Sequence, residues 1–128
     1  NDIETAMKYY DQVLIVKPND SIALNNIGAN LMQLDKKEEA VKYFEKALES
    51  DPGYPNTYYA LALVAEKEKD FKKAFDNSLL ALARINKEKN KQLYSNCFHL
   101  AIDSANKLKS EINAKKIIDD FIAKLSYL

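Results

Sequence analysis

One spacing constrains this chain more than any other: small residues return every 34 positions, at Ala6, Ala40 and Ala74. Val13, Ala47 and Ala81 keep the same interval. Tyr10 and Phe44 share it, with Ser78 as a weaker third member, and so do Pro18 and Pro52. A second set lies upstream in each unit. Leu24 pairs with Tyr58, Ile27 with Leu61, Gly28 with Ala62 and Leu31 with Ala65, again 34 apart. Within a unit these positions step by three and four, which is one face of an α-helix. A period of this length is the mark of a stacked-repeat architecture, in which one supersecondary unit recurs and neighbours share a continuous core.

The unit reads as two helices. Helix A spans 21–34 and helix B spans 37–49. Asp51-Pro52-Gly53 closes the unit, because Pro cannot continue a helix and Gly relieves the turn. Gly28 sits inside helix A, where it costs about 1 kcal/mol relative to Ala. That cost has a reason if helix B crosses so closely that no Cβ fits, with Ala40 and Ala47 as the matching small positions on helix B. Ala62 keeps the position small one unit later.

Composition supports a few long helices. The 128 residues include only two Gly and three Pro, so turns are scarce, and one domain is the expectation at this length. A chain of this size buries a core without disulfide or metal support. Lys plus Arg equals Asp plus Glu at 19 each, so the net charge is zero and no long-range attraction to a phosphate backbone exists. Nucleic acid is therefore not an expected partner. The single Cys97 cannot form an internal bridge and requires no oxidising compartment, which favours a cytoplasmic setting without fixing one. The uncharged stretch 21–34 is too short and too polar to cross a bilayer, and no membrane insertion is expected. The chain opens at Asn1 without Met and reads as an excised piece, so a removed targeting signal stays open.

The residues 24, 27, 28, 31, 40, 44, 47 and 52 carry a resemblance. Leu24, Ile27-Gly28, Leu31, Ala40, Phe44, Ala47 and Pro52 occupy all eight preferred positions of the tetratricopeptide repeat family, a 34-residue helix-turn-helix unit. The second unit, 55–88, resembles it at most positions, has Asp70-Phe71 at its inter-helix turn, and departs at Ser78 and Asn86. Residues 1–20 look like the second half of a repeat whose helix A lies outside the chain. The resemblance implies an all-α fold, an α-α superhelix: a right-handed solenoid of antiparallel helix pairs, with about seven helices here. One repeat domain over 1–128 is expected, comprising the half-repeat 1–20, repeats 21–54 and 55–88, and an irregular helical hairpin over 89–128.

Beyond residue 88 the motif fades and the helical pattern continues. Leu93, Cys97, Leu100, Ile102 and Ala105 line a helix over 89–107. Ala114, Ile117, Ile118, Phe121, Ile122 and Leu125 form a broad apolar stripe over 110–126. An atypical end unit that caps the stack accounts for this segment. The sharper alternative is that Phe121, Ile122, Leu125 and Leu128 leave apolar surface for a homo-oligomer contact through the C-terminal helix or for the next piece of a longer chain.

The two helix types differ in charge. Helix B carries Lys36, Lys37, Glu38, Glu39, Lys42, Glu45, Lys46 and Glu49, with Glu38 and Lys42 in the favourable order for an i,i+4 ion pair; helix A of the same unit carries no charge. A charged B face is a solvated one. In the family, A helices line the concave side, so the resemblance implies a groove there. Its candidate residues are Asn25, Asn26, Ala29 and Gln33 on the first A helix and Asn56, Tyr59 and Leu63 on the second. Tyr94 and Phe98 are the candidates on the third, while Asn30 is also left over from packing. Asn and Gln offer a donor and an acceptor to a peptide backbone, and Tyr adds a rigid contact with a polar tip. The expected partner is a largely neutral protein or peptide; the alternative is that these polar groups only keep the inner face soluble. The family's clamp for acidic chaperone tails would need basic residues near Asn56 and Ala60, which are absent.

Catalysis finds no support in the residues. His99, the only histidine, lies two positions from Cys97 and points away from it on a helix. A structural Cys-His pair, buried or half-buried, is the plainer account. One Cys and one His fall short of a zinc set, adjacent Asp119 and Asp120 diverge, and no Gly-rich phosphate loop exists. Neither cofactor nor metal is expected. The function that follows is a protein-binding scaffold, with a structural or self-association role as the alternative.

Overall fold

A computed structural model describes residues 2–108 and 114–126. Seven helices follow one another among these residues: α1 (Asp2–Val16), α2 (Ser21–Gln33), α3 (Lys37–Ser50), α4 (Pro55–Lys67), α5 (Phe71–Leu82), α6 (Lys91–Lys107) and α7 (Ala114–Leu125). Helices α2 and α3 are the A and B helices of the first full unit, and α4 and α5 those of the second. Local chemistry sets their starts. Asp20 Oδ1 accepts the N–H of Ala23, Asp70 Oδ1 that of Lys73, and Asn90 Oδ1 that of Leu93, each satisfying a donor that the first turn leaves free. Pro55 begins α4, where its missing N–H costs nothing.

The turn from A to B is made twice in the same way. Asp35 and Lys69, 34 apart, both take φ of 61°. The next residues, Lys36 and Asp70, donate their N–H to Leu31 and Ala65 carbonyls at 2.9 Å, closing a Schellman motif. Gly53, expected to relieve the unit's end, does not have positive φ. There the turn is held instead by Asp51 Oδ1, which accepts the Gly53 N–H at 2.9 Å, an Asx turn. The left-handed positions are thus non-glycine and lie in the other turn.

Small residues let the hairpins close. Ala40, Ala47, Ala74, Ala81 and Ala62 are fully buried. A Cβ on Gly28 would lie 2.5 Å from Phe44 Cε1, so the glycine is required by helix B. One cluster joins Ile27, Leu31, Ala40, Phe44 and Val64; a second joins Tyr58, Ala81, Leu82, Leu93, Cys97, Ala101 and Ile118. Junctions between units are tied by backbone acceptors. Ser50 Oγ donates to the Asn19 carbonyl. One repeat later, Arg84 Nε and Tyr58 Oη both donate to the Pro52 carbonyl at 2.8 Å, and the guanidinium lies 4.6 Å from the Tyr58 ring centre.

Helix α6 lies along α5 about as closely as α5 lies along α4. Helix α7 contributes the buried Ile118 and the half-buried Ile122 to the second cluster. Ile117, Phe121 and Leu125 are also half-buried; the Ala114 side chain and Leu128 lie outside the described residues. The Glu38–Lys42 ion pair anticipated on α3 is not formed among the described residues. The i,i+4 pair that is formed joins Lys72 and Asp76 at 2.7 Å on α5. Both sets are exposed, and such pairs gain too little to overcome side-chain freedom reliably.

Candidate functional site: the face of the A helices

The A-type helices form an inner row. Helix α2 packs on α4 and α4 on α6, whereas the B helices α3 and α5 stand farther apart. Spreading on one side and contact on the other curves the stack, with the A helices inside.

The interval between α2 and α4 opens into a cavity of about 330 Å³. Ala29, Met32 and Gln33 come from α2, and Ala60, Leu63, Glu66 and Lys67 from α4; Phe44 of α3 forms the floor. Three of the sequence candidates, Ala29, Gln33 and Leu63, therefore meet at one place. Met32, Ala60, Glu66 and Lys67 were missed, although they follow from the same register: Met32 is three residues after Ala29, and Glu66 and Lys67 are three and four after Leu63. Phe44 had no such signal, because it enters from the other helix across the gap that Gly28 leaves.

The interval between α4 and α6 is filled. Tyr59, Tyr94 and Phe98 are half-buried against the cluster containing Leu93 and Cys97. The Tyr94 and Phe98 rings stack with centroids 6.3 Å apart and planes 16° apart, and Lys87 Nζ lies 5.3 Å over Tyr94. Burial raises the Tyr59 phenol above its usual pKa, with smaller contributions from Cys97 and Glu66, so it is a neutral hydrogen-bonding group near physiological pH. Asn26 and Asn56 are half-buried.

Asn25 departs from expectation. It is 6% exposed, not a residue left over from packing. It lies one turn before Ala29 on α2. Asn25 Oδ1, Asn30 Nδ2 and Thr57 Oγ1 are buried without a hydrogen-bond partner.

Cys97 and His99 do not act together, nor are they a buried pair. Cys97 is fully buried, which pushes its thiol up to about 12 and leaves it protonated and unreactive. His99 is exposed, with Nδ1 3.3 Å from Ser95 Oγ. No helix among the described residues is long and apolar enough to cross a membrane.

Antiparallel helical hairpins repeated in register, with one helix of each pair on the inner row, define an all-α helical solenoid of the protein-interaction scaffold class. Tetratricopeptide repeat models match residues 21–54 and 43–76, so residues 21–76 carry tetratricopeptide repeats. It is 28% identical over 88 residues to the peroxisomal targeting signal receptor of Saccharomyces cerevisiae, covering 67% of this chain and 14% of that protein. It is 34% identical over 70 residues to the Kluyveromyces lactis receptor of the same name, covering 55% of this chain and 12% of that one. It is 36% identical over 75 residues to the Protein STIP1 homolog of Dictyostelium discoideum, covering 53% and 13%. The chain thus spans about one seventh of the curated relatives it matches.

Proposed function

We propose that this domain is a non-enzymatic scaffold that binds a largely neutral peptide or protein segment along the inner face of α2, α4 and α6. The observation that carries this is the meeting of Ala29, Gln33 and Leu63 around one open cavity on that face. The neighbouring interval presents Tyr59, Tyr94 and Phe98 as a rigid aromatic surface, the residue type that dominates binding energy in interfaces. Helix α2 carries no charge, which argues for a neutral ligand over an acidic tail. The name of the yeast relatives, receptors for a targeting signal, supports the same class of activity.

Selection of a random dodecamer peptide library on the immobilised domain tests this reading. Selected peptides should lose at least ~10-fold in affinity when Asn26 and Tyr59 are both changed to Ala, at unchanged helicity, since a hot-spot truncation costs upwards of ~1–2 kcal/mol. They should be indifferent to Lys42→Ala and Lys72→Ala on the outer helices. Peptides that bind equally well to the Asn26/Tyr59 variant would defeat the groove assignment.

A further inference from the structure

We infer that the cavity between α2 and α4 is a socket for one uncharged side chain of leucine or methionine size, and that a bound segment is anchored by that side chain. The inference rests on the groove reading above and specifies its ligand. Five of the eight lining residues, Ala29, Met32, Ala60, Leu63 and Phe44, are apolar, and the exposed lining is mostly apolar. A polar or charged anchor would be desolvated against that surface. Gln33, Glu66 and Lys67 complete the lining; the two charges are of opposite sign and select for neither.

Size narrows the occupant further. A volume of about 330 Å³ lies at the low end of ligand pockets, which run from about 300 to 1,000 Å³. That suits one side chain with its adjoining backbone. Met32 is unbranched and polarizable, a wall that adapts to an aliphatic or thioether guest. The two intervals of the groove differ in what lines them. Between α2 and α4 the facing residues Ala29 and Ala60 are small, while between α4 and α6 Tyr59, Tyr94 and Phe98 occupy the space. The aromatic interval offers a surface to lie on, and the other offers a hole to enter.

Blocked pentapeptides, acetyl-Asn-Ala-Xaa-Ala-Asn-amide with Xaa as Leu, Met, Ala or Glu, test the socket by methyl NMR. Leu and Met guests should shift the methyls of Ala29, Met32, Ala60 and Leu63 and bind ~10-fold or more tightly than the Ala guest, from the extra apolar surface they bury; the Glu guest should not shift them. Leu63→Asn, at a position already 37% exposed and so tolerant of the change, should cut the Leu-over-Ala preference to within ~3-fold. Ala29→Leu, which fills the cavity, should abolish it. If Leu and Ala guests bind alike and shift only resonances around Tyr94 and Phe98, the socket is wrong while the groove stands. If the Leu guest at ~10 mM, enough to fill ~90% of a site with a Kd of ~1 mM, leaves every α2, α4 and α6 methyl unmoved, both are wrong.

Discussion

In the unit 21–54, Phe44 lies over Gly28 with no room for a Cβ between them; in the unit 55–88, the same two positions hold Ala62 and Ser78, both fully buried. The aromatic ring needs a glycine beneath it. The serine leaves room for a methyl, and its hydroxyl donates to the Ala74 carbonyl at 2.8 Å within its own helix. The two units thus settle the crossing differently: a ring against a glycine in one, two small side chains in the other, with neighbouring side chains left to fill the remaining volume. Ser78, a departure from the repeat pattern when taken alone, goes with the absence of a ring over Ala62. The difference also reaches the groove, because Phe44 forms the floor of the cavity between α2 and α4.

Substitutions at this crossing should separate the units sharply. Phe44→Ala is expected to cost about 3–5 kcal/mol in urea unfolding, as large-to-small core changes do. Ser78→Ala should cost less than about 1 kcal/mol, because the lost bond is local to one helix. Equal losses would mean that the two crossings are not alternative packings. Gly28→Ala comes next. Overpacking costs about 1–3 kcal/mol against about 1 kcal/mol gained in helix propensity, so a net loss of up to about 2 kcal/mol is expected. In a Phe44→Ala background the same change should become stabilising by about 1 kcal/mol. A double-mutant cycle without that sign reversal would remove the steric account.

Smaller effects test the features that the units share or lack. Thr57 is fully buried at a position where the first unit has Ala23, and its Oγ1 has no partner. Thr57→Val should therefore raise stability by about 1 kcal/mol, by removing a desolvated hydroxyl at little change in shape. A loss would show that the hydroxyl is satisfied in solution. The A-to-B turns should respond alike. Asp35→Gly and Lys69→Gly each relieve a left-handed backbone, and a gain of about 0.5–1 kcal/mol in each is expected after the added freedom of the unfolded chain. Unequal gains beyond ~0.5 kcal/mol, the limit within which separate sites behave independently, would show that the two turns are not equivalent.

Much of this was legible in the residues because a 34-residue period repeats every constraint. Helices α2 and α3 end within one residue of the spans read from spacing and turn chemistry, and Gly28 was correctly tied to a close crossing. What stayed hidden depended on neighbours in space. Asn25 has the sequence signature of a free polar residue, yet it is buried in the stack. The left-handed turn residues were invisible because Asp35 and Lys69 are not glycine, while Gly53 drew attention to a turn that does not need it. Of the residues that line the cavity, the resemblance had pointed to Ala29, Gln33 and Leu63. The cavity itself was not readable, since its floor comes from Phe44 on another helix.

The central claim is that partners bind the A-helix face. Mapping backbone and methyl shifts of the labelled domain with a peptide from the dodecamer selection tests it most directly. The account predicts shifts concentrated at Ala29, Leu63, Tyr94 and Phe98, with α3 and the outer face of α5 undisturbed. Shifts gathered on α3 and α5 and absent from α2, α4 and α6 would contradict it.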